Sequence, residues 1–138
     1  LDGGLVLKYI NVKSSHRNEF IDITEKVNET IKETSIVSGI CCVYVPHTTA
    51  GVTINEGADP SVQRDIQNTL SRLIPHELNY SHREGNADAH VKASIIGASQ
   101  FIIIDEGRLV LGTWQAVYFC EFDGPRHRRV TLKLIADK

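Results

Sequence analysis

The run Leu5 to Val12 is apolar and β-rich and reads as a strand, and Phe20, Ile21 and Ile23 mark a second strand. From Thr24, which can cap a helix, the period lengthens. Val27, Ile31 and Thr34 fall at i, i+4 and i+7 with polar residues on the other faces, and Gly39 offers a stop. Ile40 to Pro46 (ICCVYVP) is then apolar at consecutive positions. Such a run suits a strand buried on both faces, or one covered by another subunit. Val52, Thr53 and Ile54 suggest its partner strand. Asp59-Pro60 announces a second helix, with Asp59 as N-cap and Pro60 at the first helical position. Val62, Ile66, Leu70 and Leu73 give that helix its stripe, and Pro75 ends it. Residues 75–86 (PHELNYSHREGN) form a polar loop at the long end for a compact domain, and such loops are often functional. Asn86 can cap a third helix, Ala87 to Ile96, closed by Gly97. Phe101 to Ile104, Trp114 to Phe122, and Val130, Leu132 and Leu134 read as further strands, with turns at Gly107 and Gly124-Pro125. The pattern predicts about seven or eight strands and about three helices, with hairpins joining most strands. The fold class is α+β with mainly antiparallel sheet, and not alternating βαβ.

Composition narrows the classes of function. The 138 residues make one domain, 1–138, of ordinary character: 41% hydrophobic and 23% charged. Fifteen Lys and Arg against 17 Asp and Glu give a net charge of −2, which offers no case for electrostatic nucleic-acid binding. No apolar run is long enough to span a membrane, and Leu1-Asp2-Gly3-Gly4 does not pattern as a secretory signal. The three cysteines are odd in number, and Cys41 and Cys42 are neighbours on one strand, facing opposite ways. They read, with Cys120, as small buried hydrophobes in a reducing, cytoplasmic setting.

The polar residues that stand out fall in four places: Pro46 to Gly51, Asn55 to Asp59, His82 to His90, and Gly107-Arg108 through Arg126. The third is the densest. Its two histidines and nearby carboxylates are a common ligand set for zinc or a similar ion, although the spacing matches no familiar zinc motif. The plain alternative is a solvated loop whose Asn86 and Asp88 only begin a helix. That helix start, with Lys92, Arg83 and Arg108, would also suit a phosphate or diphosphate, with Glu84 and Asp88 opposing unless a metal neutralises them. His47 is either a structural residue at a strand end or a ligand. Glu56 would serve as a general base. In a hairpin arm, however, it would lie up to about 25–30 Å from His47 at ~3.3 Å per residue, which a kinked strand or a second subunit would have to bridge. Trp114 either opens a strand in the core or stacks on a flat ring whose edge Gln115 reads. Arg126, Arg128 and Arg129 read as a solvated hairpin tip, with Arg126 able to reach an anion. P-loop, dinucleotide-loop, G-x-S-x-G and C-x-x-C motifs are absent from the sequence.

Taken together, the runs His47-Thr48-Thr49-Ala50-Gly51-Val52-Thr53-Ile54-Asn55-Glu56, Glu84-Gly85-Asn86-Ala87-Asp88-Ala89-His90, Gly107-Arg108-Leu109, Leu111-Gly112-Thr113-Trp114-Gln115 and Glu121-Phe122-Asp123-Gly124-Pro125-Arg126 resemble the signature of the YjbQ-like family. The resemblance runs from about residue 5 to about residue 135 in the family's order. It implies a β-sandwich with helices, a homotrimer, and a divalent metal ion, zinc-like or magnesium, held by His82, His90 and His47. It also implies a secondary thiamine-phosphate-synthase activity, in which a hydroxymethylpyrimidine diphosphate joins a thiazole phosphate and diphosphate is released. On that expectation Glu56, Asn86, Asp88 and Arg108 are catalytic, and Trp114, Gln115, Lys92 and Arg126 bind the phosphorylated substrate. The alternatives are a metal-dependent hydrolase with Glu56 or Asp88 as base, and a non-catalytic metal- or ligand-binding trimer. Neither nucleic acid nor membrane is an expected partner.

Overall fold

Inward and outward residues alternate along β1 (Leu5–Lys13), so that Ile10 and Val12 reach a core while Leu7 and Tyr9 face out. The computed structural model describes residues 5–138; residues 1–4, read above for a secretory signal, lie outside them. β2 (Glu19–Asp22) leads into α1 (Thr24–Lys32), followed by β3 (Gly39–Tyr44), β4 (Ala50–Glu56), α2 (Pro60–Leu73) and α3 (Ala87–Ile96). Four strands complete the chain: β5 (Ser99–Asp105), β6 (Arg108–Leu109), β7 (Gln115–Glu121) and β8 (His127–Ala136). Among the described residues, no helix is long and apolar enough to cross a membrane.

The strands form two antiparallel sheets, ordered β1-β8-β3-β5-β6 and β2-β7-β4. Their inner faces pack together. Val43, Ile104, Val130, Leu132 and Leu134 of the first meet Val52, Val117 and Phe119 of the second, and Val27 and Ile31 of α1 join the same core. The other face of the smaller sheet carries Tyr118 and Cys120 against Ala89 and Ala93 of α3, with Leu70 of α2 half-buried beside them. β7 is therefore a middle layer, which explains why all but its first residue are buried. The order is sheet, sheet, helices. Among the described residues nothing covers the outer face of the five-stranded sheet, and Ile40, Tyr44, Phe101 and Ile103 are exposed on it.

This α+β sandwich with three helices agrees with the predicted class, but several local expectations change. Only β5 and β6 are sequential neighbours in a sheet, so hairpins do not join most strands. β3 and β4 lie in different sheets rather than pairing. β3 is buried on one face only in the single chain. Thr24 does not cap α1; its Oγ1 accepts the Val117 amide at 2.8 Å, while the Asp22 carboxylate accepts the Thr24 amide at 2.9 Å. Gly39 opens β3 instead of closing α1. A Cβ there would press into the carbonyl oxygen of Ile135, its β8 neighbour, which explains the glycine. The Asp59 cap is as expected, accepting the Ser61 amide at 2.9 Å. All three cysteines are free; burial pushes the Cys41 thiol up to about 12 and the Cys120 thiol further in the same direction.

Because the clash at Gly39 is with backbone, it has no flexible side chain to relieve it. Gly39→Ala should cost about 1–3 kcal/mol of stability, the usual range for overpacking, read as a lower urea midpoint with unchanged slope.

Candidate functional site

Between β3 and β4 the chain crosses from one sheet to the other, and the crossing is His47-Thr48-Thr49. A buried ion pair fixes it. Arg128 of β8 donates from Nε to Glu121 of β7 at 2.9 Å, and from Nη2 to the other Glu121 oxygen. The same Nη2 reaches Thr49 Oγ1 at 2.8 Å and its carbonyl at 3.3 Å. The remaining capacity of Glu121 is filled by Ser14 Oγ at 2.7 Å and the Asp123 amide at 2.9 Å. Arg128 is thus 6% exposed, and not part of a solvated tip. One residue on, the Arg129 backbone brackets the His47 ring, with Nε2 at 3.0 Å from the amide and 3.1 Å from the carbonyl. Burial, then the positive charge of Arg128, lowers the basicity of His47. The lowered basicity favours the neutral imidazole. In one tautomer the Arg129 amide donates to Nε2; in the other Nε2–H donates to the Arg129 carbonyl, and only the latter leaves the Nδ1 lone pair free.

Small residues open a cleft beside it. Gly51 lets β4 approach the end of α3: a Cβ would lie 2.6 Å from the Gly97 carbonyl, which accepts the Val52 amide at 3.1 Å. With Ala50, Ala93 and Ala98, this leaves a cavity of about 510 Å³ that His47, Thr48, His90 and Ser94 also line. A second hollow of about 360 Å³, lined by Tyr80, Ser81, His82 and Ala87, shares His90 as a wall. The His82 and His90 rings meet edge to face, 5.2 Å between centroids, with His82 Nε2 also 3.2 Å from Glu84 Oε1.

The acidic residues predicted here are committed elsewhere. Asp88 is fully buried and takes two hydrogen bonds from Arg17, both 3.1 Å, with His76 Nδ1 at 3.2 Å. Lys92 is 2% exposed and donates to Asn18 at 3.2 Å and to Ser71 at 3.4 Å, so it braces α3 and does not reach a ligand. Burial lowers its basicity, against the pull of Asp88. Asn86 stands at the N-cap of α3, as expected, but its side chain makes no capping bond. Its Nδ2 donates to Asp123 at 2.9 Å, and its buried Oδ1 has no partner. Asp123 in turn holds Arg126, Nη2 to Oδ2 at 3.0 Å.

The remaining predicted residues sit at the other end of the sandwich. Glu56 is six residues along β4 from Ala50, about 20 Å at ~3.3 Å per residue, where it pairs in register with Gln115. Its carboxylate accepts the Ala58 amide at 2.9 Å. Trp114 is 65% exposed on the turn before β7. Arg108 meets Glu25 at 3.3 Å, a residue that also lines the hollow beside Trp114. The chain therefore brings His47, His82, His90, Asn86 and Arg126 to one end, and leaves Glu56, Arg108, Trp114 and Gln115 at the other. The sequence reading missed Arg17, His76, Glu121 and Arg128. For Arg128 the signal was present: it shares the inward parity of Val130, Leu132 and Leu134.

Among the described residues, no three His, Cys, Asp or Glu side chains already converge as a metal cage. The donor chemistry nevertheless suits a divalent ion at the histidine end. His82 and His90 stand side by side, His47 faces the cavity that His90 lines, and the orphaned Asn86 Oδ1 is an acceptor that lacks a donor or cation.

Burial works to raise the Asp88 carboxyl, but hydrogen bonds from Arg17 and His76 outweigh it and hold Asp88 below the ordinary carboxylate range. A depressed folded-state value means stability that is complete above the unfolded pKa of ~3.9 and lost as pH falls through the folded value. Asp88→Asn should therefore cost about 3 kcal/mol or more at neutral pH, as breaking a buried ion pair does. Its stability should also decline less steeply than that of the parent between about pH 4 and pH 2. Urea denaturation across that range reads both.

The comparisons bear on what these features belong to. The sequence profile of the family described as UPF0047 protein YjbQ-like matches residues 8–137. The UPF0047 protein MJ1081 of Methanocaldococcus jannaschii is 53% identical over 134 residues, covering 97% of this chain and 96% of that protein. UPF0047 protein YugU of Bacillus subtilis is 51% identical, covering 94% and 99%. A crystal structure of an uncharacterized YjbQ/UPF0047 protein from Clostridium acetobutylicum superimposes with a TM-score of 0.90 at 51% identity, covering 93% and 99%. The chain belongs to the YjbQ-like UPF0047 family.

Proposed function

We propose that the histidine cleft binds a divalent metal ion, zinc-like or magnesium, and acts on a phosphorylated small molecule. The activity is the secondary thiamine-phosphate synthesis that the sequence resemblance implies. The observation that supports this most is the placing of His47, His82 and His90 around two adjoining hollows, with the neutral form of His47 favoured and one ring nitrogen tied to backbone. When bound, the ion supplies positive charge for the departing diphosphate.

The chain's own residues supply the rest. Arg128 and Arg126 lie close enough to His47 to lower its basicity, with Glu121 opposing them. Arg128 is consumed by Glu121, while Arg126, tethered by Asp123 and half-exposed, is an arginine at this end able to turn toward an anion. The Thr48 and Ser94 side chains line the cavity and offer hydroxyls for orientation. No side chain in the cleft is an activated nucleophile, which suits displacement of diphosphate by the second substrate.

The reading includes a homotrimer. The bare apolar face of the larger sheet supports assembly of this kind, and assembly would also give Glu56, Arg108, Trp114 and Gln115 a route to a neighbour's cleft.

The test uses protein of defined metal content. Diphosphate release from the pyrimidine diphosphate is followed with and without the thiazole phosphate, in the parent and in His90→Ala. The reading predicts metal-dependent release that requires both substrates and falls at least about 100-fold in the variant, the scale for removing a preorganised electrostatic group. Release without the second substrate would make the protein a hydrolase. Trace release that His90→Ala leaves unchanged would remove the cleft from the chemistry.

A further inference from the structure

Helix α3 carries one stripe that changes chemistry along its length. Ala87, His90, Val91 and Ser94 stand at i, i+3, i+4 and i+7, so they share a face. The Ser94 end lines the cleft of about 510 Å³, together with His47 and Thr48. The Ala87 end lines the hollow of about 360 Å³, together with Val91, Tyr80, Ser81 and His82. His90 is a wall of both and stands where they adjoin.

The hollow is the apolar half of this pair. None of its walls is a carboxylate, a lysine or an arginine. Tyr80 turns its polar tip back into its own loop, where the hydroxyl donates to the Pro75 carbonyl at 2.5 Å, and its ring is left to line the hollow. His82 Nε2 is engaged by Glu84 at 3.2 Å, and the His82 ring meets that of His90 edge to face. Val91 has no part in either hydrophobic core: α3 packs on β7 through Ala89 and Ala93, and Val91 stays 39% exposed.

These walls select an occupant. The volume lies at the lower end of the range of small-molecule pockets, ~300–1,000 Å³, which leaves room for one ring and not for a segment of protein. A charged group seated there would lose its water and find no partner, so an uncharged group is favoured. The hollow is also continuous with a cleft of opposite character, which offers an imidazole and the hydroxyl of Thr48. One ligand with a polar and an apolar end fits both.

We propose that the hollow beside Tyr80 and Val91 seats the organic part of the ligand whose phosphate occupies the cleft, and that this part is a single uncharged, largely apolar ring. This rests on the reading of the cleft as a metal and phosphate site, and it adds the substrate class: a phosphate or diphosphate ester carried on one such ring, with His90 beside the join. Val91 sets the size of ring that enters.

The probes are benzyl phosphate and methyl phosphate, which differ by the phenyl ring alone. Calorimetric titration of the full chain with one equivalent of zinc gives a dissociation constant for each, in the parent and in Val91→Phe, which fills the hollow with a ring of the protein's own. Val91 is exposed, and circular dichroism confirms folding. Benzyl phosphate should bind the parent at least about tenfold more tightly, the lower end of what one added methylene gains in an apolar pocket. It should also move the Val91 methyl signals in the NMR spectrum, which methyl phosphate leaves in place. Val91→Phe should erase the preference. Equal affinities in the parent, a preference that survives Val91→Phe, or unmoved Val91 methyl signals would overturn the inference and leave the phosphate reading of the cleft standing. Binding of neither phosphate would overturn both.

Discussion

The ion pair between Glu121 and Arg128 joins the two sheets, and the histidine end of the molecule is arranged around it. Glu121 comes from β7 in the smaller sheet and Arg128 from β8 in the larger one, and both are almost fully buried. A buried pair of this sort adds little net stability compared with apolar residues, because desolvation offsets most of the attraction. Its contribution lies in position. All its bonding capacity is directed: to Ser14 after β1, to Thr49 in the crossing, and to the Asp123 amide before the last turn. These contacts place His47 at the mouth of the cleft and begin the turn whose Asp123 reaches Asn86 and Arg126. Burial works against the charged form of Glu121, yet the bonds from Arg128 and Ser14 keep its carboxyl below the usual range.

A second constraint follows from stacking order. Helices α2 and α3 cover the smaller sheet, the smaller sheet covers one face of the larger, and among the described residues nothing covers the other face. The molecule therefore has a histidine-lined end, an apolar flank and a far end with an exposed tryptophan. The cleft is lined by the small residues Ala50, Ala93, Gly97 and Ala98. Gly51 lets β4 lie close to the end of α3 beside it.

Much of the fold was legible from the chain. The alternation in β8, the Asp59-Pro60 start of α2 and the Gly97 end of α3 each state local geometry through local chemistry. Strand partners were not legible, since most pairings link distant strands and only the register of the folded sheets reveals them. The apolar run Ile40 to Pro46 suits a strand buried on both faces or one covered by another subunit; the single chain buries Cys41, Val43 and Val45 and leaves Ile40 and Tyr44 exposed. At the site, motif residues marked places rather than roles. His82 and His90 proved adjacent, as their nearness in sequence suggested. Asp88 precedes His90 and Lys92 follows it, but their side chains turn inward, because a helix start buried against Arg17 and Ser71 needs its charges matched there. Arg128 looked solvated beside Arg126 and Arg129, until strand parity is applied.

On the proposed function, three histidines from separate segments serve one cation. Titrating the protein with one equivalent of zinc, while following the ring nitrogens of all six histidines by NMR, tests it most directly. The account predicts that His47, His82 and His90 shift together and saturate at one ion per chain, while His16, His76 and His127 stay in place. Saturation without movement of His47, or binding confined to His76, would contradict it.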